Sequence, residues 1–368
     1  MAHDTLIERL GLAVYTVPTE RPEADGTLAW DSTSVVVVEP VTWSGVRGLG
    51  YAVGDLAVAL VIRDVLRPHV VGKDVNNTTD LWESMRSSVR NLGRPGVCSM
   101  AISAVDIALW DTKARAQGVP LHRLLGPVRE TVPVYGSGGF TSYNQMELIT
   151  QLSRWVEQGI PRVKMKVGKD WGLSWREDLQ RVSAVRKALG DDVELFVDAN
   201  GAYDRNRARS IGKRFATELG VTWFEEPVSS DDTVGLRMLR ATLPLDVAAG
   251  EYGYSNEYFR DLLAARAVDV AQADIGRVGG ITEWLRVAAT CAAAKVPLSG
   301  HCQPQQHVHA ATAVENLRHI EWFHSHVRVD NLLFDGVLEP VAGELRPSDR
   351  PGLGLELKRQ DAVRFLAS

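Results

Sequence analysis

From Val132 onward this chain alternates two kinds of segment eight times: a short β-branched or aromatic run, then a stretch whose apolar residues recur every three or four positions. The runs are VPVYGSGG (132–139), RVKMKVG (162–168), VELFVDAN (193–200), VTWFEEP (221–227), LDVAAGE (245–251), VDVAQAD (268–274), VPLSGH (296–301) and HIEWF (319–323). Between them lie helical patterns such as SWREDLQRVSAVRKAL and ITEWLRVAATCAAA. A helix inserted between two strands carries the chain back along the sheet face, so the strands pair in parallel. Eight such strands close on themselves, and residues 129–326 are therefore expected to form an α/β barrel.

Residues 1–128 break this rhythm. STSVVVVEP reads as a strand, GVRGLGYAVG as a Gly-rich turn, and DLAVALVIRDVL, NTTDLWESMRSSV and SMAISAVDIALWDTKARAQG as helices, which makes an α+β segment. Gly126-Pro127 stops the last of these helices and begins an extended connection. Residues 16–32, TVPTERPEADGTLAWDS, are polar and contain Pro and Gly; they read as a loop, either plain surface or a lid over a site. The turn-rich segment 327–368 is expected to pack back on the first domain.

Composition narrows the partners. A chain of 368 residues, 45% hydrophobic and 24% charged, is large enough to bury the core of a barrel and of a smaller domain. A net charge of −5 with no Lys/Arg-rich run argues against a nucleic-acid footprint. Cys98, Cys291 and Cys302 are odd in number and lack metal-ligand spacing, which predicts neither a disulfide framework nor a zinc knuckle and fits a reducing cytoplasm. Asp4 and Glu8 stand where a secretory signal needs positive charge and then an apolar core, and no apolar run approaches the roughly 20 residues of a membrane span.

Three acids end successive runs of the predicted barrel: Asp198, Glu225 and Glu251, separated by 27 and 26 residues. One strand-plus-helix unit apart, they project from neighbouring strands onto the C-terminal rim, where such barrels hold their chemistry. Crowded carboxylates repel, and a hard divalent cation such as magnesium relieves that repulsion through oxygen ligands. Lys164 and Lys166 lie two apart, so strand alternation sends both to one face: inward toward the acids, or outward if this is a solvated edge strand. If inward, each ammonium is expected to depress the pKa of the other and make one a base near neutral pH. Asp274 and His301, again 27 residues apart, end the next two runs, an arrangement in which a carboxylate fixes a histidine tautomer. Glu321 has the parity to face inward beside His301 as a protonated hydrogen-bond donor, and Asn200, Ser137 and Gly138 follow or end strands where they can position a ligand or simply make turns.

The set KMK, VDAN, EEP, GE, QAD and SGH, in this order, with AISAVDIALWDTKARAQGVPLHRLLG in the first domain, resembles the mandelate racemase-like group of the enolase superfamily across nearly the whole chain. That resemblance implies a (β/α)7β modified TIM barrel with an α+β capping domain. It implies Mg2+ on Asp198, Glu225 (the first Glu of EEP rather than Glu226) and Glu251. Lys166 would be the base on one face of the substrate, Lys164 its pKa-lowering and carboxylate-binding neighbour, His301 oriented by Asp274 the acid or base on the other face, and Glu321 a hydrogen-bonding partner. The implied reaction removes the proton α to a carboxylate to give an enediolate. Gln303, Gln305, Gln306 and His307, with Glu20, Glu23 and Asp25 in the lid, suit a sugar acid undergoing dehydration, whereas Trp30 and Trp223 suit an aromatic substrate. Racemisation or epimerisation of a 2-hydroxy acid and lactone cycloisomerisation are the alternatives, and the active form is expected to be a homo-oligomer.

Overall fold

The N-terminal segment folds as an antiparallel sheet of β1 (Ile7–Ala24), β2 (Ala29–Thr42) and β3 (Gly50–Val53), backed by α1 (Leu56–Val61), α2 (Thr78–Ser88), α3 (Val97–Ala116) and α4 (Leu121–Leu125). The computed structural model describes residues 4–367; residues 1–3 and 368, at the outer ends of the first and last predicted segments, lie outside the described residues. Helix α3 is buried on nearly every side because it is wedged between this sheet and the barrel. Its backbone approaches β3 so closely that a Cβ at Gly50 would lie 2.3 Å from Ala108 N.

The expected loop at 16–32 is a correction: these residues form the outer half of a long hairpin, paired from Thr16↔Ser34 to Ala24↔Ala29 with one register break between Pro18 and Glu23. Backbone pairing needs no apolar side chains, and Pro18 and Pro22 are tolerated because β1 is an edge strand. The hairpin tip rests on the barrel. Thr141 N–H donates to Ala24 O (2.8 Å) and Trp171 N–H to Gly26 O (3.0 Å).

The eight runs all become strands: β4 (Val132–Gly138), β5 (Arg162–Lys166), β6 (Glu194–Asp198), β7 (Val221–Glu225), β8 (Asp246–Ala249), β9 (Val270–Ala273), β10 (Leu298–Gly300) and β11 (Leu317–Phe323). They pair in parallel in chain order, and β11 returns to β4 through Ile320↔Val134, closing the ring. Seven helices, α5 (Gln145–Glu157), α6 (Trp175–Leu189), α7 (Arg205–Leu219), α8 (Thr233–Thr242), α9 (Asn256–Ala264), α10 (Gly280–Ala293) and α11 (Pro304–Ala311), connect successive strands, and α12 (His324–Leu333) leads from the last strand into the tail. This is a (β/α)7β modified TIM barrel with an α+β capping domain. Period-two alternation sorts its residues: Val163, Met165, Leu195, Val197 and Phe224 join the core shared with the helices, while Tyr135, Phe196, Trp223, Ala248 and Val270 fill the barrel's interior. Asp198 and Glu225 stand two residues beyond Phe196 and Trp223, and so sit one layer nearer the rim.

The boundary expected between residues 326 and 327 falls inside α12, whose buried Ser325, Val329, Asp330 and Leu333 make a short stripe at helical spacing. Beyond it, β12 (Phe334–Asp335) pairs with β14 (Glu356–Leu357), and β13 (Glu344–Leu345) adds antiparallel to the start of β4. A last short helix, α13 (Arg359–Ala362), leads the chain back to β1, where Ala367 N–H donates to Val14 O at 2.8 Å. Among the described residues no helix is long and apolar enough to cross a membrane.

Tyr51 on β3 joins this segment to the cap by stacking on Phe334 (4.8 Å between ring centres) and donating its hydroxyl to Asp330 Oδ1 at 2.7 Å. Burial pushes the Asp330 carboxyl up from 3.8 to about 7, with the Tyr51 hydrogen bond opposing. The folded protein therefore holds a proton here that the unfolded chain releases. Its contribution is fully present below the ordinary aspartate value and is lost as pH rises through about 7. Urea titrations between pH 4 and 8 are expected to show Asp330→Asn flattening this decline by about 1–3 kcal/mol; an unchanged slope would assign the decline to other groups.

Candidate active site

Seven successive strands, β5 to β11, bring the predicted residues to one rim. Lys164 and Lys166 both face inward from β5, so the edge-strand alternative is excluded. Lys164 is wholly buried: its Nζ donates to Glu225 Oε1 (2.6 Å) and lies 2.8 Å from Glu321 Oε1 and 3.5 Å from Asp198 Oδ2. Lys166 Nζ donates to Asp198 Oδ2 (2.5 Å) and Asn200 Oδ1 (3.1 Å), and Asn200 returns a backbone N–H to Asp198 Oδ1 (2.9 Å). Glu251 follows Gly250, whose φ of +132° and approach to Gln272 O (2.5 Å from a Cβ) only glycine permits. Asp274 Oδ2 accepts from His301 Nδ1 at 2.8 Å, and its Oδ1 from Gly276 N–H at 2.7 Å, which leaves His301 Nε2 facing Glu251 Oε2 (3.5 Å) and Glu321 Oε2 (3.7 Å).

The electrostatics differ from expectation in two ways. Burial alone would lower both lysines, but the carboxylates around them (Glu225 and Glu321 for Lys164, Asp198 for Lys166) raise them above the ordinary lysine value. Mutual repulsion between two ammonium groups is outweighed because acids outnumber them here. Glu321 is not the protonated donor expected from its place in the strand. Burial favours that form, yet Lys164, His301 and Lys166 hold its carboxyl well below the usual range, so it accepts hydrogen bonds rather than donating one. Glu225 behaves oppositely: burial and neighbouring Asp198 push it up to about 8.

Each of the three acids thus has a cationic neighbour, Arg277 serving Glu251 at 3.2 Å. Relief of repulsion alone does not require a metal. What points to one is unsatisfied oxygen: Glu251 Oε2 and both carboxylate oxygens of Glu226 are buried without a hydrogen-bond partner. Oxygen atoms from Asp198, Glu225 and Glu251 form the hard donor set that suits a divalent cation. Ligand atoms of Glu225, Glu251 and His301 already lie within 4.8 Å of one another, while Asp198 is drawn aside by Lys166.

Other predicted residues stand at the margin. Ser137 Oγ is buried on β4 with no hydrogen-bond partner. Trp30 donates Nε1–H to Glu23 Oε2 (2.9 Å) and packs edge-on against Phe140, in a cluster with Cys302 and Phe323 at the barrel mouth. The polar residues read as sugar-binding are occupied otherwise. Gln305 and Gln306 bond the backbone at Leu338 and Tyr51, Gln303 accepts from Gln306, and His307 Nδ1 reaches Cys302 O. Asp25 caps the hairpin through Thr27 and Leu28, and Glu23 is buried against Ser325. Trp223 lies in the barrel interior and donates Nε1–H to Glu225 Oε2 at 3.0 Å. Arg277, Glu226 and Cys302 escaped the sequence reading as site residues. Arg277 stands three residues beyond Asp274, the only pattern that pointed to it.

Comparison with known proteins identifies the family and the fold. Residues 147–362 match the family described as Enolase C-terminal domain-like, and residues 11–126 match the Mandelate racemase / muconate lactonizing enzyme, N-terminal domain. The L-talarate/galactarate dehydratase of Salmonella typhimurium is 33% identical over 96% of this chain and 89% of its own length. A mandelate racemase/muconate lactonizing enzyme-like protein from Rubrobacter xylanophilus superposes with a TM-score of 0.95 at 50% identity, covering 98% of this chain and 100% of the other. A racemase from Streptomyces coelicolor A3(2), crystallised with bound magnesium, gives 0.92 at 31% identity over 98% and 100% of the two chains.

Lys164 is the cation on which three acids converge. Lys164→Met leaves them buried and mutually repelling, and is expected to lower stability by about 3–5 kcal/mol in metal-free buffer. Adding Glu225→Gln recovers part of that loss; strict additivity in urea denaturation would argue against the coupling.

Proposed function

We propose that this chain, which belongs to the mandelate racemase/muconate lactonizing enzyme family of the enolase superfamily, removes the proton α to the carboxylate of a small acid and expels a β-hydroxyl, as an acid-sugar dehydratase. Membership puts the chain among enzymes of the lyase or isomerase kind. The observation that carries the reading is the Asp274–His301 pair, its Nε2 turned toward the acids at the rim that Lys166 also reaches.

Asp198, Glu225 and Glu251 would hold Mg2+, supported by their oxygen donors, by the unpartnered Glu251 Oε2 and by the magnesium in the similar Streptomyces racemase. Bound there, the ion would supply positive charge where the substrate carboxylate gains negative charge on losing its α-proton. Lys166 accepts that proton. It can do so only when Asp198 is engaged elsewhere, because the 2.5 Å pair keeps it an ammonium. Burial opposes the imidazolium form of His301, but Glu251, Glu321 and Asp274 favour it and raise its pKa. As imidazolium it donates a proton to the departing hydroxyl, which leaves as water. Glu321, held ionised, anchors Lys164 and the Cys302 backbone beside it.

Dehydration is favoured by the similarity to a dehydratase along almost the whole chain. Racemisation or epimerisation is the second reading, supported by Lys166 and His301 standing on strands three apart around the ring, so that one can take a proton and the other return it. The test is to incubate aldonic and aldaric acids with enzyme and Mg2+ in deuterated water. Semicarbazide-reactive 2-keto acid marks dehydration, and a changed optical rotation with α-deuteration and no keto acid marks the second reading. Lys166→Ala and His301→Ala are each expected to slow the reaction by about 10²–10⁴-fold, and a chelator to abolish it. Full activity in either variant would overturn the roles of Lys166 and His301 as base and acid.

A further inference from the structure

We infer that His301, Cys302 and Glu321 form a second metal site, selective for a thiophilic divalent ion such as Zn2+ and distinct from the carboxylate trio. Cys302 Sγ lies 3.4 Å from His301 Nε2 and 3.4 Å from Glu321 Oε2, and the last two atoms are 3.7 Å apart. Tetrahedral zinc with sulfur at about 2.3 Å and nitrogen and oxygen at about 2.0–2.2 Å demands ligand separations of roughly 3.3–3.6 Å. The three atoms already stand near those separations without a change of rotamer.

Two of the three ligands are also oriented by a further partner. His301 Nδ1 is held by Asp274, which leaves Nε2 as the coordinating nitrogen. Lys164 engages Glu321 Oε1 and leaves Oε2 turned toward the thiol. Cys302 and Gln303 have φ of +53° and +42°, two consecutive left-handed residues that turn the chain at the end of β10 and bring Sγ back over the rim. Sulfur and imidazole favour zinc over magnesium, whereas the neighbouring oxygen trio favours the reverse. On binding, the Cys302 S–H bond and the Nε2–H bond of the His301 imidazolium break, both protons pass to solvent, and the thiolate and imidazole lone pairs form the bonds to the metal. The fourth position is left to water or to a substrate oxygen.

Binding at this site does not depend on the proposed reaction; inhibition by it does, since zinc would occupy the His301 Nε2 that the reaction needs. The experiment adds Co2+ as a spectroscopic substitute to the whole protein, with excess Mg2+ present to fill the oxygen trio. A near-ultraviolet thiolate-to-cobalt charge-transfer band that saturates at one equivalent and is displaced by Zn2+ is expected. Cys302→Ser, with folding checked by circular dichroism, should abolish the band and weaken zinc by at least about a hundredfold, more than the roughly 10–100-fold loss expected for Asp274→Asn. X-ray absorption of the zinc-loaded wild type needs no variant and should report one sulfur ligand at about 2.3 Å. A zinc shell of nitrogen and oxygen only, or a charge-transfer band that survives in Cys302→Ser, would overturn the site. Zinc inhibition that vanishes in a still active Cys302→Ser enzyme links the site to the reaction, whereas a cobalt band in a protein inactive on every acid tried refutes the reaction and not the site.

Discussion

A single ammonium group, that of Lys164, permits this barrel to carry acids in its interior. Charges removed from water are costly unless paired, and here one cation meets Glu225, Glu321 and Asp198 from three different strands. Beneath it the layer of Tyr135, Phe196 and Trp223 is aromatic, and Tyr135 turns its ring face toward the lysine at 5.4 Å. The boundary between packed core and reactive rim is thus one residue deep. Everything nearer the mouth, from Lys166 to His301, is positioned against charges that Lys164 holds in register.

The capping domain is fastened by polar bonds from α2 and from the interior of its longest helix, α3. Asp106 on α3 accepts from the backbone and hydroxyl of Thr282 at 2.9 and 2.7 Å, and Trp82 on α2 donates to Gly279 O at 2.7 Å. Asp111 receives backbone N–H groups from Leu49 and Leu353, joining cap and tail at one buried carboxylate. These contacts fix where β1 and β2 point, and so where their hairpin meets the barrel.

The barrel was legible because alternation with period two is a strong signal where one face is packed by helices and the other by a filled interior; every run from VPVYGSGG to HIEWF carries it. The rim residues were legible for the same reason, since strand ends recur once per unit. The hairpin at 16–32 was not. Its strands satisfy one another through the backbone while their side chains stay polar, so composition imitated a loop. Charge states were equally hidden: whether Lys166 is depressed by Lys164 or raised by Asp198 depends on distances between strands far apart in sequence. Cys302 was passed over because ligand spacing along a chain says nothing when the ligands come from two adjacent strand ends.

The hairpin tip meets the barrel through main-chain bonds at Thr141 and Trp171, with Glu23 and Trp30 tucked behind it. Access from that side is consequently governed by peptide groups, which no side-chain rotation can release. The hairpin's pairing shifts register at its base, between Ile7 and Arg9, and again between Pro18 and Glu23, and the second shift lies between the anchored tip and the sheet of the cap. A ribbon whose pairing is interrupted there bends at that point more readily than in the paired stretches on either side, so the doorway and the domain that frames it meet at a pivot.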